Sequence, residues 1–181
     1  MERAVKLTYD DYCATPDDER CELLNGDLMM VPAPNVKHQR ILLRLAHQLG
    51  RFILDHELGE LLPAPCDVVL SDTDVVQPDL LFVSREREHT ITAENVRGAP
   101  DLVIEILSPS TADKDLGYKH ELYGRHGVNE YWVLDPMAET VAIHRQRDGV
   151  LELSDALGRR DTLRTPLLKG LELQLDDVFP G

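Results

Sequence analysis

The sequence predicts a mixed α/β fold, a β-sheet core covered by two helices, and three observations carry that prediction. Asn25-Gly26 separates two apolar runs, the strongest short-range signal for a β-hairpin. From Lys37 to Glu57, Ile41, Leu42, Leu45, Leu49, Phe52 and Ile53 recur at three- and four-residue steps, the period of an amphipathic helix. Short apolar runs with turn residues between them then follow, interrupted by a second helical stretch. Strands and helices in that order make a sheet with helices packed on it.

Each element has its own signal. Leu7 to Asp18 reads as a short helix opened by Thr8, with Asp10 and Asp11 in the first turn, where the helix dipole favours anions. Glu22 to Met30 is the hairpin, and Pro32 and Pro34 mark a linker before the long helix. Leu61 to Leu70, Val75 to Val83 and Leu102 to Leu107 read as strands. The loop Ser108-Pro109-Ser110-Thr111 leads into a helix from about Asp113 to His126, closed by Gly127 at a position suited to a left-handed residue. Glu130 to Leu134 is a strand stopped by Asp135-Pro136. Val141 to Arg145 and Leu151 to Ser154 form a closing hairpin around Asp148-Gly149, and Leu171 to Leu175 alternates as a final strand would.

At 181 residues the chain is expected to form one domain, spanning 1–181, with 43% hydrophobic residues to fill its core. It has no apolar run of membrane-spanning length, and its first residues lack the apolar core of a secretory signal. Three cysteines without zinc-like spacing suit a reducing compartment. The expectation is therefore a soluble, cytoplasmic protein without a membrane partner. A net charge of −14 weighs against a protein that coats nucleic acid by charge alone, because phosphate neutralisation needs basic residues. It leaves room for an enzyme whose acids hold a metal.

The chemistry starts at Glu105, a carboxylate inside the apolar run Leu102 to Leu107. A buried charge is costly unless something pairs with it or coordinates to it. Two Pro-Asp pairs, Pro78-Asp79 and Pro100-Asp101, offer a second acid. Asp101 and Glu105 lie four apart on one strand, roughly 13 Å at about 3.3 Å per residue, too far to share a small cation. Asp79, on a neighbouring strand about 4.8 Å away, can meet Glu105 if the register allows. Asp101 then reads as a strand-edge or turn residue. Lys119 shares a helix stripe with Leu116 and Tyr123, so its ammonium leans inward and needs an anion. Two carboxylates, a divalent cation and a lysine suit phosphodiester hydrolysis. Other readings stand beside this one: a structural Glu105–Lys119 ion pair, a solvated Asp79, and a surface pair of Lys119 with Asp115.

The strings Ala99 to Thr111, then Asp115, Lys119, Tyr123 and Gly127 to Pro136, resemble the Uma-two family, endonucleases of the PD-(D/E)xK superfamily formerly catalogued as a domain of unknown function. Glu22 to Gly26, Pro34 with His38, Pro78 to Leu80, and Leu171 through Phe179 extend the similarity over nearly the whole chain. The resemblance implies a restriction-endonuclease-like fold and a Mg²⁺- or Mn²⁺-dependent endonuclease acting on DNA. It also implies catalytic roles for Asp79, Glu105 and Lys119. Asp79, Glu105 and the carbonyl of Ile106 would be the metal ligands, with Glu22 and His38 as further positions. The superfamily's usual lysine, two residues after the second acid, is Leu107 here, and Lys119 takes its place by resemblance.

Independently of the family, Lys37, Arg40, Arg44, His47 and Arg51 form a basic stripe along the long helix, either a path for a phosphate backbone or a solvated face. Two other classes of function stay open. A catalytically weak or inactive descendant would bind nucleic acid or protein, which Leu107 and the charge favour. A dimerising domain would show exposed aromatics near Tyr131-Trp132, and a homodimer is a further expectation.

Overall fold

The computed structural model describes residues 5–16, 20–109 and 112–180, with Asp113 by its backbone alone. The expected end of the first helix at Asp18, and Ser110 and Thr111 of the loop, lie outside the described residues. The first helix, α1 (Tyr9–Cys13), is a single turn capped by Thr8, whose N–H and hydroxyl both meet Asp11 Oδ2. It stops well short of Asp18: Ala14 closes it, and Pro16 follows with no N–H to give. The hairpin is present as β1 (Cys21–Leu24) and β2 (Asp27–Met30), with Asn25 and Gly26 both at positive φ, the conformations a type I′ turn demands. The long helix, α2 (Val36–Asp55), is capped by Asn35, whose side chain accepts the His38 N–H at 2.9 Å.

Two of the expected strands each divide in two, because a proline breaks the ladder. Leu61 to Leu70 becomes β3 (Gly59–Pro63) and β4 (Val68–Ser71) around Pro65. Val75 to Val83 becomes β5 (Asp74–Val76) and β6 (Leu80–Ser84) around Pro78. Each division carries the chain between sheets, so the described residues form two large sheets where one was expected. The first runs β2-β1-β5-β4-β7, where β7 is Val96–Arg97; the second runs β11-β10-β9-β8-β6-β3. In the second, β8 (Leu102–Ile106) lies antiparallel to β6 and parallel to β9 (Glu130–Asp135). The closing hairpin, β10 (Thr140–Arg147) and β11 (Val150–Gly158), turns at Asp148-Gly149 as expected.

The expected helix from Asp113 to His126 is two, α3 (Ala112–Leu116) and α4 (Tyr118–His126), broken at Gly117. The break turns Leu116 outward, 54% exposed, although its stripe with Lys119 placed it in the core. Gly127 ends α4 at φ 84, as expected. In the tail, β12 (Thr162–Leu163) pairs with β13 (Leu173–Gln174), and the short helix α5 (Leu175–Val178) follows. Tyr131 and Trp132, the expected aromatic clue to a dimer, are fully buried, because β9 is an interior strand with both faces covered. No helix among the described residues is long and apolar enough to cross a membrane.

The strand period of two decides which side chain meets which layer. Leu80, Phe82, Leu102, Ile104, Ile106, Trp132 and Leu134 face α2, where Ile41, Leu45, Leu49 and Ile53 pack on them with Leu171, Leu173, Leu175 and Phe179 of the tail. Leu81, Val83, Val103, Tyr131 and Val133 face the other way, onto Leu122 and Tyr123 of α4 and onto Val68 and Val76 of the first sheet. Each fully buried aliphatic side chain contributes about 1.5–3 kcal/mol. Glu105 follows Ile104 and so lies on the α4 side, between the two sheets.

A pH dependence of stability arises on that side. His120 of α4 and His144 of β10 meet edge to face with ring centroids 4.7 Å apart, and His144 Nδ1 is buried without a partner among the described residues. Burial holds both imidazoles below the ordinary histidine range, and His120 lowers His144 further. The native state therefore binds fewer protons than the unfolded chain. The stability from this pair is complete above about pH 6.5 and is lost as pH falls through the lower folded-state pKa values. Between about pH 7.5 and pH 5 the melting midpoint should fall further in the wild type than in the double variant His120→Phe/His144→Phe. Equal falls would contradict this.

Candidate active site

Six elements meet at the C-terminal end of β8. Glu105 comes from β8 itself, and Asp79 immediately precedes β6, one step beyond the paired residues Leu80 and Ile104. Glu22 projects from β1, His38 from the first turn of α2, and Asp115 and Lys119 from the helices after the loop. All of them, with Ile106, line one pocket of about 160 Å³. The register needed to bring Asp79 to Glu105 is present: the Asp79 N–H points at Glu105 Oε2 at 3.4 Å, and Asp79 Oδ2 accepts the Ile106 N–H at 2.8 Å. His38 Nε2 lies 3.0 Å from the same Asp79 oxygen. Its other nitrogen, Nδ1, is buried without a partner among the described residues.

Lys119 is 5% exposed and sits in a cage of acids. Its Nζ lies 2.8 Å from Glu22 Oε1, 2.9 Å from Glu105 Oε1 and 3.4 Å from Asp115 Oδ1. The inward lean expected from the helix stripe is therefore correct, and the surface pair with Asp115 is not what forms, since Asp115 is itself buried. Glu22, a further position by resemblance, is buried and also accepts the Gln77 N–H at 2.8 Å. The Tyr123 hydroxyl donates to Glu105 Oε1 at 3.0 Å, and Tyr131 donates to the Asp115 carbonyl.

The electrostatics are lopsided. Glu22, Glu105 and Asp115 surround one buried ammonium, and Asp79 adds a fourth carboxyl group beside Glu105. Burial pushes the Glu105 carboxyl well above the usual range, and the acids Asp115, Asp79 and Glu22 add to it against the pull of Lys119. Burial alone would lower Lys119, but Glu105, Glu22 and Asp115 outweigh it and hold the ammonium charged far past its ordinary value. Burial and the adjoining Glu105 raise the Tyr123 phenol, so it stays a donor. Among the described residues, Asp79 Oδ1 has no partner, and Glu105 Oε2 meets only the long contact from the Asp79 N–H. No group of three or more His, Cys, Asp or Glu side chains among those residues is arranged to hold a metal ion.

The sequence profile of one family, described as "Putative restriction endonuclease", matches residues 8–176. The chain belongs to the Uma2 family. The Uma2 chain is similar in fold to a crystal structure of "a putative nuclease belonging to DUF820" from Anabaena variabilis. The two are 21% identical with a TM-score of 0.79, and the match covers 96% of this chain and 97% of that one. No curated protein matches. A nuclease-like function is what this membership supports.

Sequence reasoning missed part of the Uma2 pocket. Arg20, Gln77 and Lys114 line it, although none lies in a run that marks a site. Tyr123 was legible as a core residue four after Lys119 but not as a hydrogen-bond donor to Glu105. The basic stripe lies apart from the pocket lining: Arg40, Arg44, His47 and Arg51 are exposed on α2, Lys37 is half-buried, and Arg51 meets Asp55 at 3.6 Å.

Proposed function

We propose that this Uma2 protein is a divalent-metal-dependent endonuclease of the PD-(D/E)xK type that hydrolyses phosphodiester bonds in DNA. The observation that carries the reading is the convergence of Asp79 and Glu105 from adjacent strands in a pocket where Glu22, Glu105 and Asp115 surround the one buried ammonium of Lys119. The donor set fits Mg²⁺ or Mn²⁺: it is all oxygen, carries surplus negative charge, and has carboxylate oxygens without strong partners. Two carboxylates suffice, because Mg²⁺ is ordinarily held by one or two and takes its other ligands from water and substrate phosphate. Asp79 and Glu105 would hold the ion, with the Ile106 carbonyl as a third ligand. When bound, the ion supplies Lewis-acid polarisation of a phosphoryl oxygen and a water of lowered pKa.

The surrounding residues keep that pair in place. The Ile106 N–H and His38 fix the Asp79 carboxylate, leaving its other oxygen free to bind. Lys119 and Tyr123 hold Glu105 by one oxygen, and Lys119 ties Glu22 and Asp115 to the same point. Lys119 occupies the place of the missing motif lysine but acts as a positioning residue, since its charge is enclosed by carboxylates.

A second reading, a nuclease fold that binds nucleic acid without cutting it, is favoured by Leu107 and by the enclosure of Lys119. One experiment separates the two. An end-labelled DNA duplex incubated with the protein should yield shorter products with Mg²⁺ or Mn²⁺ and none with EDTA. Binding without products in either metal would leave the binding module standing and overturn the enzyme. The metal itself is read by melting. At Mn²⁺ a hundredfold above its Kd the native state gains about 2.7 kcal/mol, a rise in midpoint of roughly 5–11 °C. An unchanged midpoint would count against a formed site.

A further inference from the structure

The buried lysine leaves the pocket without an available cation at its floor, and a phosphodiester needs one. We infer that Arg20 and Lys114 are the residues that grip the substrate's phosphates at this pocket, an inference that rests on the nuclease reading above. Both line the pocket that holds Asp79 and Glu105, and they come from separate elements, the segment entering β1 and the helix α3. Both are half-buried, as long cationic side chains are when the stem packs and the charge stays in reach of solvent.

Their pairing sets them apart from Lys119. Lys119 is paired with three carboxylates, whereas neither Arg20 nor Lys114 meets a carboxylate among the described residues. Arg20 Nε donates to Gln77 Oε1 at 3.2 Å, which orients the guanidinium, and its terminal nitrogens have no hydrogen-bond partner among the described residues. A planar guanidinium engages two phosphate oxygens at once, and a lysine adds a point charge. The Gln77 that steadies Arg20 also gives its N–H to Glu22, so the grip is tied to the acid cage. The division of labour is then between Lys119, which holds acids, and Arg20 with Lys114, which hold phosphate.

The salt dependence of DNA binding tests this. A fluorescent duplex is titrated by anisotropy in millimolar Ca²⁺ between about 50 and 200 mM NaCl. Arg20→Gln and Lys114→Gln should each reduce the slope of log K against log salt by about 0.9, the loss of one phosphate contact. Lys114→Arg should keep the wild-type slope. Arg147→Gln, at the far end of β10 and paired with Glu152, is the control and should leave the slope alone. Matching melting midpoints establish that the variants are folded. A wild-type slope in either glutamine variant overturns the assignment while leaving the nuclease reading intact. Wild-type protein that binds no duplex overturns both.

Discussion

Replacing Lys119 with alanine should cost this protein much of its stability. The ammonium is nearly fully buried and stands within 3.4 Å of Glu22, Glu105 and Asp115, so its removal strands three acids in the interior. Removing one partner of a buried ion pair costs about 3–5 kcal/mol, which for a chain of this size lowers the melting midpoint by roughly 6–20 °C. Lys119→Arg should not restore the wild type, because a planar fork cannot sit at the centre of three converging carboxylates as a compact ammonium does. Adding Glu22→Gln to Lys119→Ala should recover part of the loss by removing one stranded charge. Thermal melting in EDTA reads all three, and a Lys119→Ala midpoint within about 2 °C of wild type, less than one kcal/mol, would refute the cage as a stabilising element.

Asp79→Asn should separate activity from stability. The amide keeps an oxygen to accept the Ile106 N–H, so the strand end stays in register. It removes one of the acids that raise the Glu105 carboxyl, which relieves repulsion when no metal is present. The melting midpoint in EDTA should therefore equal or exceed that of the wild type. Cleavage should fall on the order of a thousandfold, the several kcal/mol that a catalytic metal supplies. Such a trade is the mark of a residue kept for function at a cost in stability.

What could be read from the sequence, and what could not, follows from the range of the interactions involved. Glu105 was legible because one carboxylate in an apolar strand is an anomaly within seven residues. Asp79 was legible as a partner because strand geometry excluded Asp101. Asp101 proves to be a tie at the other end of β8, buried, accepting from the Ser84 N–H, Arg87 and Asn129. The second sheet was not legible, because Pro65 and Pro78 each interrupt a run whose two halves look alike in composition but pair with different neighbours. Arg20 and Gln77 could not be found, because their place depends on β1 meeting β5 across more than fifty residues. Leu116 was misplaced for a local reason: a single glycine broke the helix whose periodicity was being read.

The most direct test of the central claim is supercoiled-plasmid nicking by wild type and Asp79→Asn across an Mn²⁺ titration, with the melting shift of each protein measured in the same buffers. The account predicts nicking by the wild type that rises with Mn²⁺ alongside its midpoint, and neither response in a folded Asp79→Asn. Nicking by Asp79→Asn at the wild-type rate, or a folded wild type that neither nicks nor shifts in millimolar Mn²⁺, would contradict it.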